Sequence, residues 1–185
     1  MPRFLFMSDA ALTQDSYGSV AKIFHWLIAS LLVGQYLVGW LMPHIGRNTP
    51  NKGWISWHLS IGAAILVIMV LRFLWHLAFS VVLDATLAPW ERKLSGVTHV
   101  MLYFLVIAMT VLGWAAADYH GWDIRLFGIV SLPAIAPEGA QWAHTAGDIH
   151  NILLWVLLVF IVLHVAGAFY HYFVKRDRVM QRMWF

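Results

Sequence analysis

The chain has 185 residues, of which 61% are hydrophobic and 11% charged, and its formal net charge is +3. A soluble domain is charged at about a quarter of its positions, so this composition excludes an ordinary soluble fold and indicates a membrane protein. The absence of cysteine excludes disulfides, cysteine-ligated iron–sulfur clusters and covalent haem attachment through a C-x-x-C-H motif.

The N-terminal stretch Met1–Ala21 lacks the basic start, apolar run and small-residue cleavage site of a signal peptide. The first hydrophobic helix is therefore expected to direct insertion itself. That helix runs from about Val20 to Leu41 and ends at Pro43. A second span covers about Ile55 to Leu77, with Arg72 and His76 toward its far end. The third runs from about Val97 to Ala117 and the fourth from about Ile149 to Phe173. Each run is near or above the roughly 20 residues needed to cross a bilayer. Short connections around Pro43–Pro50 and Asp84–Ser95 join the first three spans. The longer connection, Asp118–Gly147, holds glycine, proline and aromatic residues without a full span. The expected architecture is an all-α membrane protein, a four-transmembrane-helix bundle formed as one domain over residues 1–185.

An even number of spans puts both termini on one side. Arg3, Lys22, Arg72, Arg92, Lys93, Lys175, Arg176, Arg178 and Arg182 fall on that side, against Arg47, Lys52 and Arg125 on the other. The positive-inside rule then makes both termini cytoplasmic. Trp54, Trp57, Trp122 and Trp142 fall at the outer boundary and Trp90 and Trp184 at the inner one, where an apolar ring with a polar N–H serves as an interface anchor.

Orientation gives each histidine a depth. His150 and His164 lie fourteen residues apart in the fourth span, which is about four helical turns and roughly 21 Å on one face. His25 lies near the cytoplasmic end of the first span and His58 near the outer end of the second. Depth pairs His58 with His150, and His25 with His164. Ionisable side chains at such depths are costly and by default mark a function. A neutral imidazole is a good ligand for iron, and two imidazoles can fill the two axial positions that a porphyrin leaves open. Two haems stacked across the membrane would use this spacing, and with both axial positions filled each would favour electron transfer over oxygen activation.

His99 could replace His25 on geometry alone, and periodicity leaves that choice open. His76 shares a face with His58 but lies about 27 Å along the axis, beyond His164. His44 and His120 read as water-facing, His144 as a cap or lining of the outer entrance, and His171 as emerging at the inner headgroups. Gly62, Gly113, Gly167 and Ala168 offer room for a porphyrin or, equally, for helix packing. Arg72 reads either as a partner for the propionates of the inner haem or as a topology signal.

Several stretches resemble the prokaryotic cytochrome b561 family over nearly the whole chain. They are Ile23-Phe24-His25-Trp26-Leu27, Trp57-His58-Leu59-Ser60-Ile61-Gly62 with Met69-Val70-Leu71-Arg72, and Gly121-Trp122 with Leu126-Phe127-Gly128. The most specific is Leu163-His164-Val165-Ala166, continuing through His171-Tyr172-Phe173-Val174-Lys175-Arg176-Asp177 to Arg182-Met183. The resemblance implies a four-helix bundle with two non-covalent b-type haems inside. It also implies axial ligands at His25, His58, His150 and His164, which favours His25 over His99. The family often carries a second histidine and acidic residues just before the His150 position, where this chain has Ala146-Gly147-Asp148.

The activity implied by the resemblance is electron transfer in the bacterial inner membrane between a small periplasmic donor, with superoxide as a candidate, and the ubiquinone pool. Such a protein is a quinone-linked oxidoreductase. The alternative is a haem-bearing membrane-anchor subunit that relays electrons for a separate oxidoreductase. A haem-free metal or proton transporter is weaker, because the four spans as read here contain no Asp or Glu. Membrane lipid, a quinone and the small donor are the expected partners. Homo-oligomerisation is compatible with the chain, and no nucleic-acid partner is expected.

Overall fold

The computed structural model describes residues 18–46, 48–79 and 88–185. Arg3, Arg47 and the Asp84–Leu87 part of the Asp84–Ser95 connection, which entered the sequence reading, lie outside the described residues. Four helices follow in order: α1 (Ser19–Leu41), α2 (Trp54–Ala78), α3 (Pro89–Tyr119) and α4 (Gln141–Phe169). All four are long and apolar enough to cross a membrane. The first two match the expected spans to within a residue. The last two each begin eight residues earlier than expected.

The reason is local. Hydropathy registers only the part of a helix that lipid surrounds, whereas helix formation also follows end chemistry. Pro89 occupies the first turn of α3, where its missing N–H costs nothing. Glu91 reaches back to accept the Ala88 N–H at 3.0 Å, which satisfies an amide that the helix itself leaves unpaired. The added turns bring acidic residues into α3, at Glu91 and Asp118, and both are buried. Glu91 pairs with Lys175 at 2.5 Å. Asp118 accepts the Ile135 and Ala136 amides at 2.6 and 3.0 Å. Each carboxylate is therefore engaged in holding a loop or a helix end.

Consecutive helices pack on each other: α1 on α2, α2 on α3, and α3 on α4. Among the described residues, α4 makes no comparably close approach to α1 or α2. The α3–α4 contact is made by small residues, including Ala115, Ala143 and Ala146, which lets the two backbones come together. At half-depth, Ile28, Ile65, Met69, Leu105, Val106 and Leu157 form a buried apolar layer contributed by all four helices.

The connection between α3 and α4 is built, not loose. A two-stranded antiparallel hairpin, β1 (Arg125–Leu126) and β2 (Val130–Ser131), lies between α3 and α4. Its turn residues Phe127 and Gly128 both have positive φ, 48° and 75°. At the opposite end of the bundle, α4 continues as a π-helical turn over Tyr170–Lys175. The chain then hooks back to α1, where Lys22 Nζ donates to Trp184 O at 2.7 Å and Trp26 Nε1 donates to Met183 O at 2.8 Å.

Candidate functional site

His58 is on the second turn of α2 and His150 on the third turn of α4. Their ring centres are 6.2 Å apart. His150 Nδ1 donates to the Met109 carbonyl of α3 at 2.8 Å. Because a carbonyl only accepts, this contact places the proton on Nδ1 and leaves Nε2 with its lone pair. Gly113, one turn beyond Met109, makes the ring position available: a Cβ there would sit 3.0 Å from His150 Cε1.

On the α1 side, a Cβ on Gly39 would lie 3.5 Å from His58 Cε1, an ordinary contact distance, so the His58 ring does not depend on a glycine there. Gln35 Nε2 donates to His58 O at 3.1 Å and lies 3.2 Å from His58 Nε2. His58 Nδ1 and Gln35 Oε1 are buried polar atoms with no hydrogen-bond partner among the described residues. Of the two readings of Gly62, the contact beside it is one of helix packing: the Gln35 amide of α1 lies 3.3 Å from where a Cβ would be. Gly167 has open space beside it, as read from the sequence.

His58, His150, Gln35 and Tyr36 line one cavity of about 770 Å³ between α1, α2, α3 and α4. Cofactor sites generally fall in this size range. Tyr119, His120 and His144 line it as well. Tyr119 contacts both imidazoles edge-on with centroids at 5.1 Å, and His120 stacks on Trp122 at 4.6 Å. His120, expected to be a water-facing bystander, is thus half-buried in the cavity wall. His144 does line this entrance, and its Nδ1 lies 3.4 Å from Asp148. His44 is exposed, as expected.

Three histidines meet at the inner level. His25 and His164 have ring centres 6.0 Å apart, and His99 and His164 are 5.2 Å apart. Two imidazoles on opposite sides of one metal ion, with bonds of about 2 Å and each ring centre about 1 Å behind its ligating nitrogen, have centres roughly 6 Å apart. The His58–His150 and His25–His164 pairs match that separation, and His99–His164 is shorter. His99 Nδ1 donates to Ser95 O in its own helix at 2.7 Å, which leaves its Nε2 with a lone pair as at His150, so only the separation distinguishes His25 from His99. His76 stacks on Tyr103, whose hydroxyl accepts from Arg72 Nε at 2.7 Å. His171 pairs with Asp177 at 2.6 Å, inside the inner hook.

The two levels are separated by apolar packing. Leu157, seven residues from both His150 and His164 on α4, is only 2% exposed. Just above it, Tyr36 OH donates to Leu154 O at 2.7 Å, tying α1 to α4. Gln35 and Tyr36 escaped the sequence reading. The available signal was an amide and a hydroxyl in the middle of an apolar span, which lipid tolerates only when they face the protein interior.

The profile of the prokaryotic cytochrome b561 family matches residues 16–185. The chain belongs to that family. "Cytochrome b561 homolog 2" of Escherichia coli K12 is 28% identical over 176 residues, covering 92% of each chain. "Probable superoxide oxidase CybB" of Yersinia pestis is 28% identical over 163 residues, 86% of this chain and 90% of the relative. "Cytochrome b561 homolog 1" of Escherichia coli K12 is 25% identical over 130 residues, 68% of this chain and 72% of the relative. Membership makes this a multi-pass membrane electron-transfer protein and implies a b-type haem. The residues present fit such a group. Imidazoles face each other at the distance for one shared ion, α4 stands off from the helices that carry the opposing histidines, and His150 offers the nitrogen that metal ligation needs.

Proposed function

We propose that the chain is a dihaem b-type cytochrome of the bacterial inner membrane, with both termini cytoplasmic, that carries electrons from a periplasmic donor to ubiquinone. One observation carries this reading. Two facing imidazole pairs occupy two depths of one bundle, and α4 supplies one member of each pair. His58 and His150 would hold the outer haem, and His25 and His164 the inner one. A haem held between two imidazoles supplies one-electron exchange at iron without an open site for oxygen.

The surrounding residues define what the protein adds. Met109 O fixes the tautomer and orientation of His150, as outer-sphere carbonyls do at metal-ligating histidines. Gly113 lets α3 approach the His150 ring. Leu157 and its neighbours exclude water between the levels, so that protons do not follow the electron through the bundle. The cavity wall formed by Tyr119, His120 and His144 gives a small polar donor a route toward the outer pair. Superoxide suits that route, and the similarity to a probable superoxide oxidase of Yersinia pestis supports it. The balance is then two superoxide ions giving two dioxygen molecules and two electrons, which with two protons convert ubiquinone to ubiquinol.

The test is quinone reduction by the purified protein in liposomes, with superoxide generated outside. The expected result is ubiquinol formation that needs this chain alone. Reduction that requires a co-purifying soluble subunit would instead make it a membrane anchor for another oxidoreductase.

A further inference from the structure

The β1–β2 hairpin is polar at its base and apolar at its tip. At the base, Asp123 pairs with Arg125 at 2.6 Å and accepts from Ser131 Oγ at 3.3 Å. Asn51 Nδ2, in the loop just before α2, donates to Asp123 O at 2.9 Å, so the base sits level with the outer loops. The tip presents Phe127, Ile129 and Val130, which are 54%, 84% and 56% exposed. Exposing three such side chains together to water is unfavourable, whereas lipid accepts them.

The position of the tip along α2 gives its depth. The Phe127 amide donates to Ser60 Oγ at 2.6 Å, which puts the tip beside the second turn of α2, about 9 Å beyond the first residue of that helix. At 25 residues, α2 is about 37 Å long against a hydrocarbon layer of about 30 Å. With the overhang shared between its ends, Ser60 lies roughly 5 Å inside the acyl region.

Non-helical backbone survives at such a depth only when its polar groups are satisfied by protein. The amides of the tip meet that condition. The Phe127 amide is held by Ser60, the Gly128 amide reaches Arg125 O at 3.5 Å and the Ile129 amide reaches Leu126 O at 3.0 Å. Ser60 also anchors Phe127 in a positive-φ conformation that a bulky residue rarely adopts. We propose that this hairpin is an outer-leaflet lipid anchor, with Phe127, Ile129 and Val130 inserted among acyl chains and Arg125 and Asp123 held at the headgroups. The proposal rests on the membrane crossing of α2 and is independent of what the histidines hold.

The chain has no cysteine, so one introduced thiol takes one label. An environment-sensitive fluorophore would be placed at Ile129→Cys, and separately at Val130→Cys in case the first variant fails to fold. Asn48→Cys serves as the water reference and Val159→Cys as the lipid reference, all in liposomes of the full chain. The expected result is quenching by lipids carrying a doxyl group near the top of the acyl chain, with loss of the iodide quenching seen at Asn48. Iodide quenching equal to that of Asn48 would overturn the proposal. Protection from both quenchers would also overturn it, because protein and not lipid would then cover the tip.

Discussion

His150 Nδ1 donates to the Met109 carbonyl at 2.8 Å, and this contact joins α4 to α3 at the outer histidine pair. It holds one imidazole in a single tautomer that leaves Nε2 with its lone pair. Gly113 is what lets the ring lie there, since a Cβ would come within 3.0 Å of Cε1 and 3.1 Å of Nδ1. Gly113→Ala is expected to push the ring by a few tenths of an ångström and weaken the Met109 bond. The measurable result is a shifted midpoint potential for one haem with the other unchanged, read by potentiometric titration. Gly113→Val should extend the effect to loss of that haem.

Leu157 separates the outer and inner levels and is among the most completely buried large side chains of the bundle. Leu157→Ala leaves a cavity in a layer to which all four helices contribute, and such truncations cost about 2–5 kcal/mol. Thermal unfolding in detergent should show that loss. Tyr36→Phe, by contrast, removes one hydroxyl bond to Leu154 O, worth about 0.6 kcal/mol for a typical interhelical bond in a membrane protein. An effect of Tyr36→Phe as large as that of Leu157→Ala would show that the hydroxyl, and not the apolar layer, holds α1 to α4.

The inner hook returns to α1 next to His25. Trp26→Phe keeps a ring against Trp184, 5.7 Å away, but removes the indole donor to Met183 O, a loss of about 1 kcal/mol. Trp26→Ala removes the ring as well and should destabilise further. The unfolding midpoints should therefore fall in the order wild type, Trp26→Phe, Trp26→Ala. Equal midpoints in all three would show that the hook contributes nothing to the bundle.

Much of this was legible in the residues alone. The four helices are apolar runs of bilayer length, and the pairing of His58 with His150 followed from depth. The starts of α3 and α4 were not legible, because Pro89–Gly96 and Gln141–Asp148 are too polar for a hydropathy reading; α3 is started by Pro89 and Glu91, whereas α4 begins after Ala140 without a side-chain cap. The hairpin was hidden because its turn puts Phe127, a residue with no turn preference, at positive φ and relies on Ser60, sixty-seven positions away. Gln35 was hidden because its partner is the His58 carbonyl, which no spacing rule reveals. His99 could not be separated from His25 by period, since both stand at the inner end of a helix.

That inner choice has its own test. The separation of 6.0 Å for His25–His164, against 5.2 Å for His99–His164, predicts that His25→Ala abolishes the inner haem. His99→Ala should retain it, with at most a shifted potential. The reverse pattern in the haem-to-protein ratio would reassign the ligand.

The most direct test of two imidazole pairs at two depths is the haem-to-protein ratio and the reduced-minus-oxidised spectrum of the detergent-purified protein, compared with His58→Ala and His164→Ala. The account predicts two low-spin b-type haems in the wild type. Each variant should retain one, and the two retained haems should differ in spectrum and midpoint potential. A wild-type chain without haem, or variants that both keep the same single haem, would contradict it.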